Sequence, residues 1–558
     1  MLAHLNRDLL WVGLAASLAL GYLGACSSDS SSMDGAASLP GFNSGAGGAG
    51  FGIDNGAAAT GGATLAPETK VKLTVEVPQA SQKYVYAANP DRDSVSVIDP
   101  NTLSIQTVAV DSAPHGLKTV PNQDAALVVN TGSGTASILR TSATGTLVTP
   151  LSVMSGSNVV TVAPDGKHAI VYYDSSQPTD GPPTDSPQSM TVLDLGSAIP
   201  ASYQVTVGYH PTSVTYSTDS SSAFVVSDDG VSKVDLAKVA SPQARVAELV
   251  HLYDATVTTA ARVTITPDGD YAVAQQPGSS TLRLVDLNTK AHQDLNLVAA
   301  YSESSGDAGA SASVDVSDVE LSPRGDFLLA VLRDKRALLR IPIPGGFDDP
   351  SEIQRIELAD VLTGVASIGP NGHYAVLYTT VDAANEQRVS ILDLTAQTAP
   401  QVVNLHKSVH AVAFDTTGTK AYVLHTKSVG DPTAANLTQD QITARSYAYS
   451  VINLASGASK LQLTASLPGP LAPLPDGTAL FVLLDSAPPW QVQRVDLADF
   501  SVSHVGIGSQ PTGIGFVAGA KQIFVSQEHV DGRMTFIDWD HLTVKSVTGY
   551  ELNSSIWE

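Results

Sequence analysis

Cysteine is almost missing from this 558-residue chain: Cys26 is the only one. A single thiol excludes any internal disulfide, a haem attached through paired cysteines, and a cysteine-rich zinc or iron–sulfur site. Charge is scarce as well. Charged residues make up 15%, well below the roughly one quarter of an ordinary soluble domain. The wetted surface must then be built from Ser, Thr, Asn and Gln, which suits strands and turns better than helices laced with ion pairs. Of the two signs, positive charge is the scarcer, with 30 Lys and Arg against 54 Asp and Glu and a net charge of −24. A field of that sign repels polyanions, so nucleic acid is set aside as a partner, while cationic or neutral partners such as glycans are easier to accommodate. The sequence also holds no HExxH, no phosphate-binding GxxxxGK[ST], no GxSxG elbow, no EF-hand loop and no basic–aromatic stripe. No catalytic residue, metal site or cofactor is predicted. What the chain does have is 43% apolar residues, enough for a substantial core.

The N-terminus reads as an address. Leu9 to Leu23 is almost wholly apolar, the length of a signal-peptide core and too short to span a bilayer comfortably. It runs into Leu23-Gly24-Ala25-Cys26, small residues before a cleavage point. This pattern, on the only cysteine, resembles the lipobox of bacterial lipoproteins. The resemblance implies removal of residues 1–25, lipidation of Cys26 and a membrane partner reached through the lipid. Ser27 rather than Asp follows the cysteine, which by the same resemblance points to the outer membrane. An ordinary secretory signal with an incidental cysteine is the alternative. Residues 26–67 are a Ser/Gly/Ala tract with too little side chain to bury, and read as a disordered tether. Gly45, Gly47 and Gly50 within it match a dinucleotide fingerprint, but no strand precedes them and no helix follows, so composition accounts for them.

From residue 68 to 558 short runs of Val, Ile, Leu, Tyr and Thr alternate with turn residues, and the chain aligns with itself. Residues 262–297 give the unit: RVTIT, a PDG turn, YAVAQ, a loop, TLRLVDL, a short turn and HQDLNL, four strands A to D. The A–B turn recurs as Pro164-Asp165-Gly166, Pro267-Asp268-Gly269, Pro323-Arg324-Gly325, Pro370-Asn371-Gly372 and Pro475-Asp476-Gly477. Weaker forms stand at Asn122-Gln123-Asp124, Thr218-Asp219-Ser220, Thr416-Thr417-Gly418 and Val517-Ala518-Gly519. Proline presets φ and glycine takes the positive-φ position, so these residues are geometry and not a site. Strand C ends in an acid at Asp99, Asp194, Asp235, Asp286, Asp393, Asp496 and Asp538, with Asn453 as the eighth case. Acids in that array could suggest metal binding. A side-chain oxygen there is expected instead to accept backbone N–H bonds and close the C–D turn.

Ten such units, each of about 40 to 60 residues, fit propeller blades of four strands. Tyr84-Val85-Tyr86-Ala87-Ala88-Asn89 followed by Ser94-Val95-Ser96-Val97-Ile98-Asp99 resembles the YVTN-type β-propeller repeat of bacterial and archaeal surface proteins. That implies an all-β propeller and leaves the function open. One ten-bladed ring is favoured over two consecutive smaller propellers, since no Pro/Gly-rich break halves the region. Repeat one lacks its strand A. Val71, Leu73, Val75 and Val77 alternate with polar residues and are expected to form an extra strand that closes the circle.

Antiparallel strands put the A–B and C–D turns on one face and the B–C and D–A loops on the other. Nearly all insertions fall on the second face: residues 174–189, 302–318, 380–387, 426–446 and 485–490, with 344–352 as the exception on the turn face. Insertions gathered on one side are expected to mark the binding side. His115, His210 and His410 stand on that face just before strand A, and Trp490 follows two prolines in an insertion. These four are the candidate contacts: imidazoles at the channel mouth and an aromatic that can stack on a sugar or a protein. The favoured reading is a surface-displayed binding or scaffold module for a protein or glycan. The alternative is a propeller enzyme of lactonase or quinoprotein type at the channel mouth, and a third reading is a self-assembling surface layer.

Overall fold

The computed structural model describes residue 68 and residues 80–176, 184–253, 262–276, 278–305, 313–358, 361–381, 385–396, 398–484 and 488–550. They fold into ten antiparallel sheets arranged as one ring, a ten-bladed β-propeller. Nine sheets have four strands each in simple sequential order, and the first has three among the described residues. Blade six is representative, with strands A to D at Val316–Leu321, Phe327–Leu332, Ala337–Pro342 and Gln354–Glu357. Blade one begins at the B position, with Val85–Asn89, Ser94–Ile98 and Ile105–Ala109. The expected strand through Val71, Leu73, Val75 and Val77 lies outside the described residues, as do Cys26 and the rest of residues 1–67.

The packing decides between one ring and two. Buried apolar side chains of the described residues sort into ten clusters; nine join consecutive blades and the tenth joins the first blade to the last. The closing cluster packs Val85, Ala87 and Ile98 of blade one against Val517, Phe524, Met534 and Phe536 of blade ten. Two smaller rings would need two such closing interfaces between non-consecutive blades, and among the described residues the one between blades one and ten is the only one. Side chains alternate across a strand, so a B strand feeds two clusters at once. Phe327, Leu329 and Val331 face blade seven, while Leu328, Ala330 and Leu332 face blade five. Burial on both faces is why B strands read as unbroken apolar runs instead of an in–out alternation.

The turns follow the reading of the five Pro-x-Gly motifs, with Gly269 at φ +77 and Gly325 at φ +76. Close approach adds a second demand on these two glycines. A Cβ on Gly325 would lie 2.7 Å from Cδ of Pro267 in the preceding blade's turn, and one on Gly269 would enter the Phe224 ring. Of the weaker motifs, Ser220 and Gly418 take the left-handed position as expected. At the other two it falls on Asn122 and on Lys521, beyond Gly519. All eight residues ending strand C accept N–H bonds from the turn that follows. Asp286, for instance, takes the amides of Asn288 and Thr289 at 2.8 Å each, and the Thr289 bond holds its carboxyl below the usual range.

Several connections carry more structure than the sequence indicates. The passage after blade five begins as helix Leu297–Ser305, whose Leu297 and Ala300 join one apolar cluster with Phe347 of the 344–352 insertion and Ile353 just after it. The C–D connection of blade four, from Leu236 to Ala247, is a second long insertion on the turn face, missed by the loop count. It pairs back onto the outer strand of blade three, where Ala247 N donates to Thr206 O and Arg245 lies 4.9 Å from the Tyr203 ring.

Candidate functional site

The B–C and D–A face carries the elaborated loops, and three constructions on it are fixed by side-chain chemistry. The first is the insertion of blade eight. Residues 439–445 form a helix, and Thr438 caps it. The Thr438 hydroxyl accepts from Gln441 N at 3.2 Å, while the Gln441 side chain accepts from Thr438 N at 2.9 Å. This is a reciprocal capping box. At the other end Lys407, which is buried, donates from Nζ to the carbonyls of Thr443, Ala444 and Ser446 at 2.7, 3.0 and 3.0 Å. Burial pulls its pKa down to about 8. Three carbonyl acceptors and a helix C-terminus work the other way, and the group is an ammonium at neutral pH. The insertion is therefore braced at both ends of its helix, and Val429 within it is 99% exposed.

The second construction is a polar clasp at the end of strand B. In blades one, two, eight and ten the last B residue is a buried Asn89, Asn130, His425 or Gln527. Each bonds a buried hydroxyl on strand C, at Ser96, Ser137, Ser450 and Thr535 respectively. A hydroxyl with no access to water needs such a partner, which gives Asn89 of the YVTN-like repeat a structural job. In blade eight the clasp is an imidazole 3% exposed, with Nε2 2.7 Å from Ser450 Oγ and Nδ1 3.2 Å from Ser408 O. Burial, with some help from Lys407, lowers its pKa to about 4, so it is neutral. It donates from Nδ1 to the carbonyl and accepts at Nε2 from the serine.

The third construction lies between blades six and seven. The side chain of Glu68 is 2% exposed and its carboxylate is held by four donors. Oε1 accepts from Thr379 Oγ1 at 2.7 Å and from Arg333 Nη1 at 3.3 Å; Oε2 accepts from Thr380 N and Thr380 Oγ1, both at 2.8 Å. Thr379 and Thr380 follow strand B Tyr374–Tyr378, Arg333 follows strand B of blade six, and Gly364 precedes strand A Val365–Ile368. The pocket thus opens on the loop face. It adjoins a cavity of about 440 Å³ whose wall includes Arg262, Gln275, Asp318 and Glu320 of the innermost strands and their neighbours.

The four residues proposed from sequence stand apart from these constructions and from one another. His115 and His410 are the second residues of the innermost strands Pro114–Thr119 and Val409–Phe414, not residues preceding them. His210 sits at the corner before Ser213–Tyr216 at φ +50, 3.1 Å from Asp228 and against the Tyr209 ring. They belong to blades two, eight and four, so the ring does not bring them together. Among the described residues no group of three or more His, Cys, Asp or Glu side chains is placed to hold a metal. Trp490, after the cis Pro488–Pro489 bond, is half-buried, and its carbonyl accepts from Ile507 N at 3.1 Å. Sequence reading missed Glu68, Arg333, Thr379, Thr380, Lys407 and His425. The available signal was slight: a Lys and a His beside strand ends in an otherwise charge-poor chain.

No protein-family model matches this sequence, and no curated protein does. Solved structures match in fold. A dihydro-haem d1 dehydrogenase, NirN, in complex with DHE shares 16% identity over 65% of this chain and 72% of its own, with TM-score 0.39. A eukaryotic initiation factor shares 11% over 84% and 97%, with TM-score 0.46. The β-propeller domain of Myceliophteria thermophila Cps50 (Swd1) shares 13% over 59% and 96%, with TM-score 0.29. Likenesses this distant are of fold alone, and function has to be argued from the site.

Proposed function

We propose that this chain is a lipoprotein of the bacterial cell envelope, anchored through Cys26, that displays its propeller as a binding or scaffold module for a protein or glycan partner. The observation that carries the binding half is the braced insertion of blade eight. Ordering an exposed loop costs roughly 1–2 kcal/mol per residue in backbone entropy, and drift alone supplies no reason to brace one with a capping box and a buried ammonium. Val429 within the insertion and Trp490 of the next blade offer apolar contact on the same face. The net charge of −24 favours a cationic or neutral partner over a polyanion. The envelope half rests on the Leu-Gly-Ala-Cys sequence before the Ser/Gly/Ala tract.

The enzyme reading gains a cavity with ionisable walls beside blades five to seven. Against it, Glu68 already accepts four hydrogen bonds and is an engaged carboxylate instead of a base waiting for a proton.

Two experiments test the two halves separately. Cys26→Ser should move the protein from the membrane to the soluble fraction, and a variant that stays membrane-bound refutes the anchor. A photo-crosslinking amino acid at Val429 should give a discrete adduct on intact cells, while one at Lys167, on the turn face, should give none. Equal labelling from both faces refutes the working side.

A further inference from the structure

We infer that the pocket formed by Arg333, Gly364, Thr379 and Thr380 is a carboxylate-binding site of the ring, filled in cis by Glu68, and that it accepts the glutamate of an extended peptide segment in trans. The partner-binding reading above does not use this pocket, and the inference stands without it.

Among the described residues, the contacts that fix the donors come from the ring. The Arg333 side chain is only 10% exposed, and its Nε and Nη2 are fixed by Asp315 Oδ2 at 2.9 and 2.8 Å, which leaves Nη1 to point at the ligand. Arg333 N also donates to Asp315 O at 3.0 Å. Thr379 and Thr380 continue directly from a paired B strand. Two hydroxyls, one backbone N–H and one guanidinium N–H on two oxygens match a carboxylate's acceptor count, and neutral amides cannot use them all.

Room for the ligand comes from a glycine. A Cβ on Gly364 would lie 1.9 Å from Glu68 Oε1, so any larger residue there expels the carboxylate. Gly364 is not among the residues of positive φ, and its backbone N donates to Tyr378 O at 2.9 Å; alanine can keep both features. The occupant, by contrast, comes from outside the blades, twelve positions before the isolated bridge of Ala80 to Val85. A tethered ligand competes at an effective concentration of order millimolar. A free segment must overcome that, and removing Glu68 removes the competitor.

The test uses the full-length chain and a fluorescein-labelled peptide spanning residues 64–72, read by anisotropy. Glu68→Ala protein should bind the peptide at least about tenfold more tightly than wild type, the difference expected from millimolar tethered competition against a ligand of about 0.1 mM affinity. A peptide carrying Gln in place of the glutamate should lose at least tenfold, and Glu68→Ala with Gly364→Ala should not bind. Hydrogen exchange provides a second readout that does not depend on the peptide's affinity. The Thr380 amide should lose protection in Glu68→Ala and regain it with peptide, while the paired amides of Tyr374–Tyr378 stay protected and report that the blade is folded. Equal binding of the Glu and Gln peptides, unchanged Thr380 protection in Glu68→Ala, or binding that survives Gly364→Ala would each overturn the inference.

Discussion

Acidification should weaken blade eight through His425, and the size of the effect follows from its surroundings. The imidazole is buried, accepts from Ser450 and donates to Ser408 O, and burial first, with Lys407 nearby, lowers its pKa to about 4. In the unfolded chain it titrates near 6.5. Between those values the unfolded state binds more protons than the folded one, so stability rises with pH across that window. The contribution is complete above about pH 6.5, declines as pH falls, and is gone below about 4. A gap of about 2.5 units at about 1.4 kcal/mol each gives roughly 3 kcal/mol over the window. His425→Gln copies the clasp of blade ten, where Gln527 bonds Thr535, and should fold at neutral pH without that slope. Hydrogen exchange of the amides in Tyr447–Asn453, measured from pH 4 to 7.5 and corrected for intrinsic rates, reads local stability in both proteins. The C2 proton of His425 gives the pKa directly by NMR. A titration near 6.5, or the same stability slope in wild type and variant, would refute the reasoning.

Three further outcomes follow from packing. Leu329→Ala removes a fully buried side chain from the cluster between blades six and seven and should cost about 2–5 kcal/mol in chemical denaturation, whereas Val429→Ala at an exposed loop position should change stability by less than about 0.5 kcal/mol; comparable costs would contradict the interblade core. Gly269→Ala places a Cβ in the Phe224 ring at φ +77 and should destabilise by about 1–3 kcal/mol; a neutral result would mean the turn has slack. Lys407→Met leaves three carbonyls without their ammonium. Limited proteolysis should then cut within residues 427–445 at least about tenfold faster, at about 1.4 kcal/mol per decade of opening, and unchanged cleavage would show that the helix holds without its cap.

Much of the architecture was legible because its causes are local. Period-2 alternation, Pro-x-Gly turns and a side-chain oxygen closing eight of the C–D turns act within a few residues. They therefore gave the blade count, the strand order and the structural role of the Asp array. The same reasoning erred at Asn122, in a turn with no glycine, and at Lys521, two residues past the glycine that was expected to take the left-handed position, and where a loop was stiffened by contacts from elsewhere, as Lys407 stiffens residues 439–445. The candidate site was less legible. His115, His210 and His410 share a face by topology but lie on separate blades. Glu68, in contrast, meets partners 265 to 312 residues away, a separation at which no spacing in the sequence carries a signal.

By itself, then, the sequence determined the repeating unit, because hydrogen-bonded turns and alternating side chains are properties of short stretches of chain. Closure into one ring was decided only by tertiary packing, since each blade exposes two apolar faces and only the match between blades ten and one covers the last pair. The burial of His425 and Lys407 and the capture of the Glu68 carboxylate were decided in the same way, because the desolvation and the donors that define them come from parts of the chain that meet only when the ring is complete.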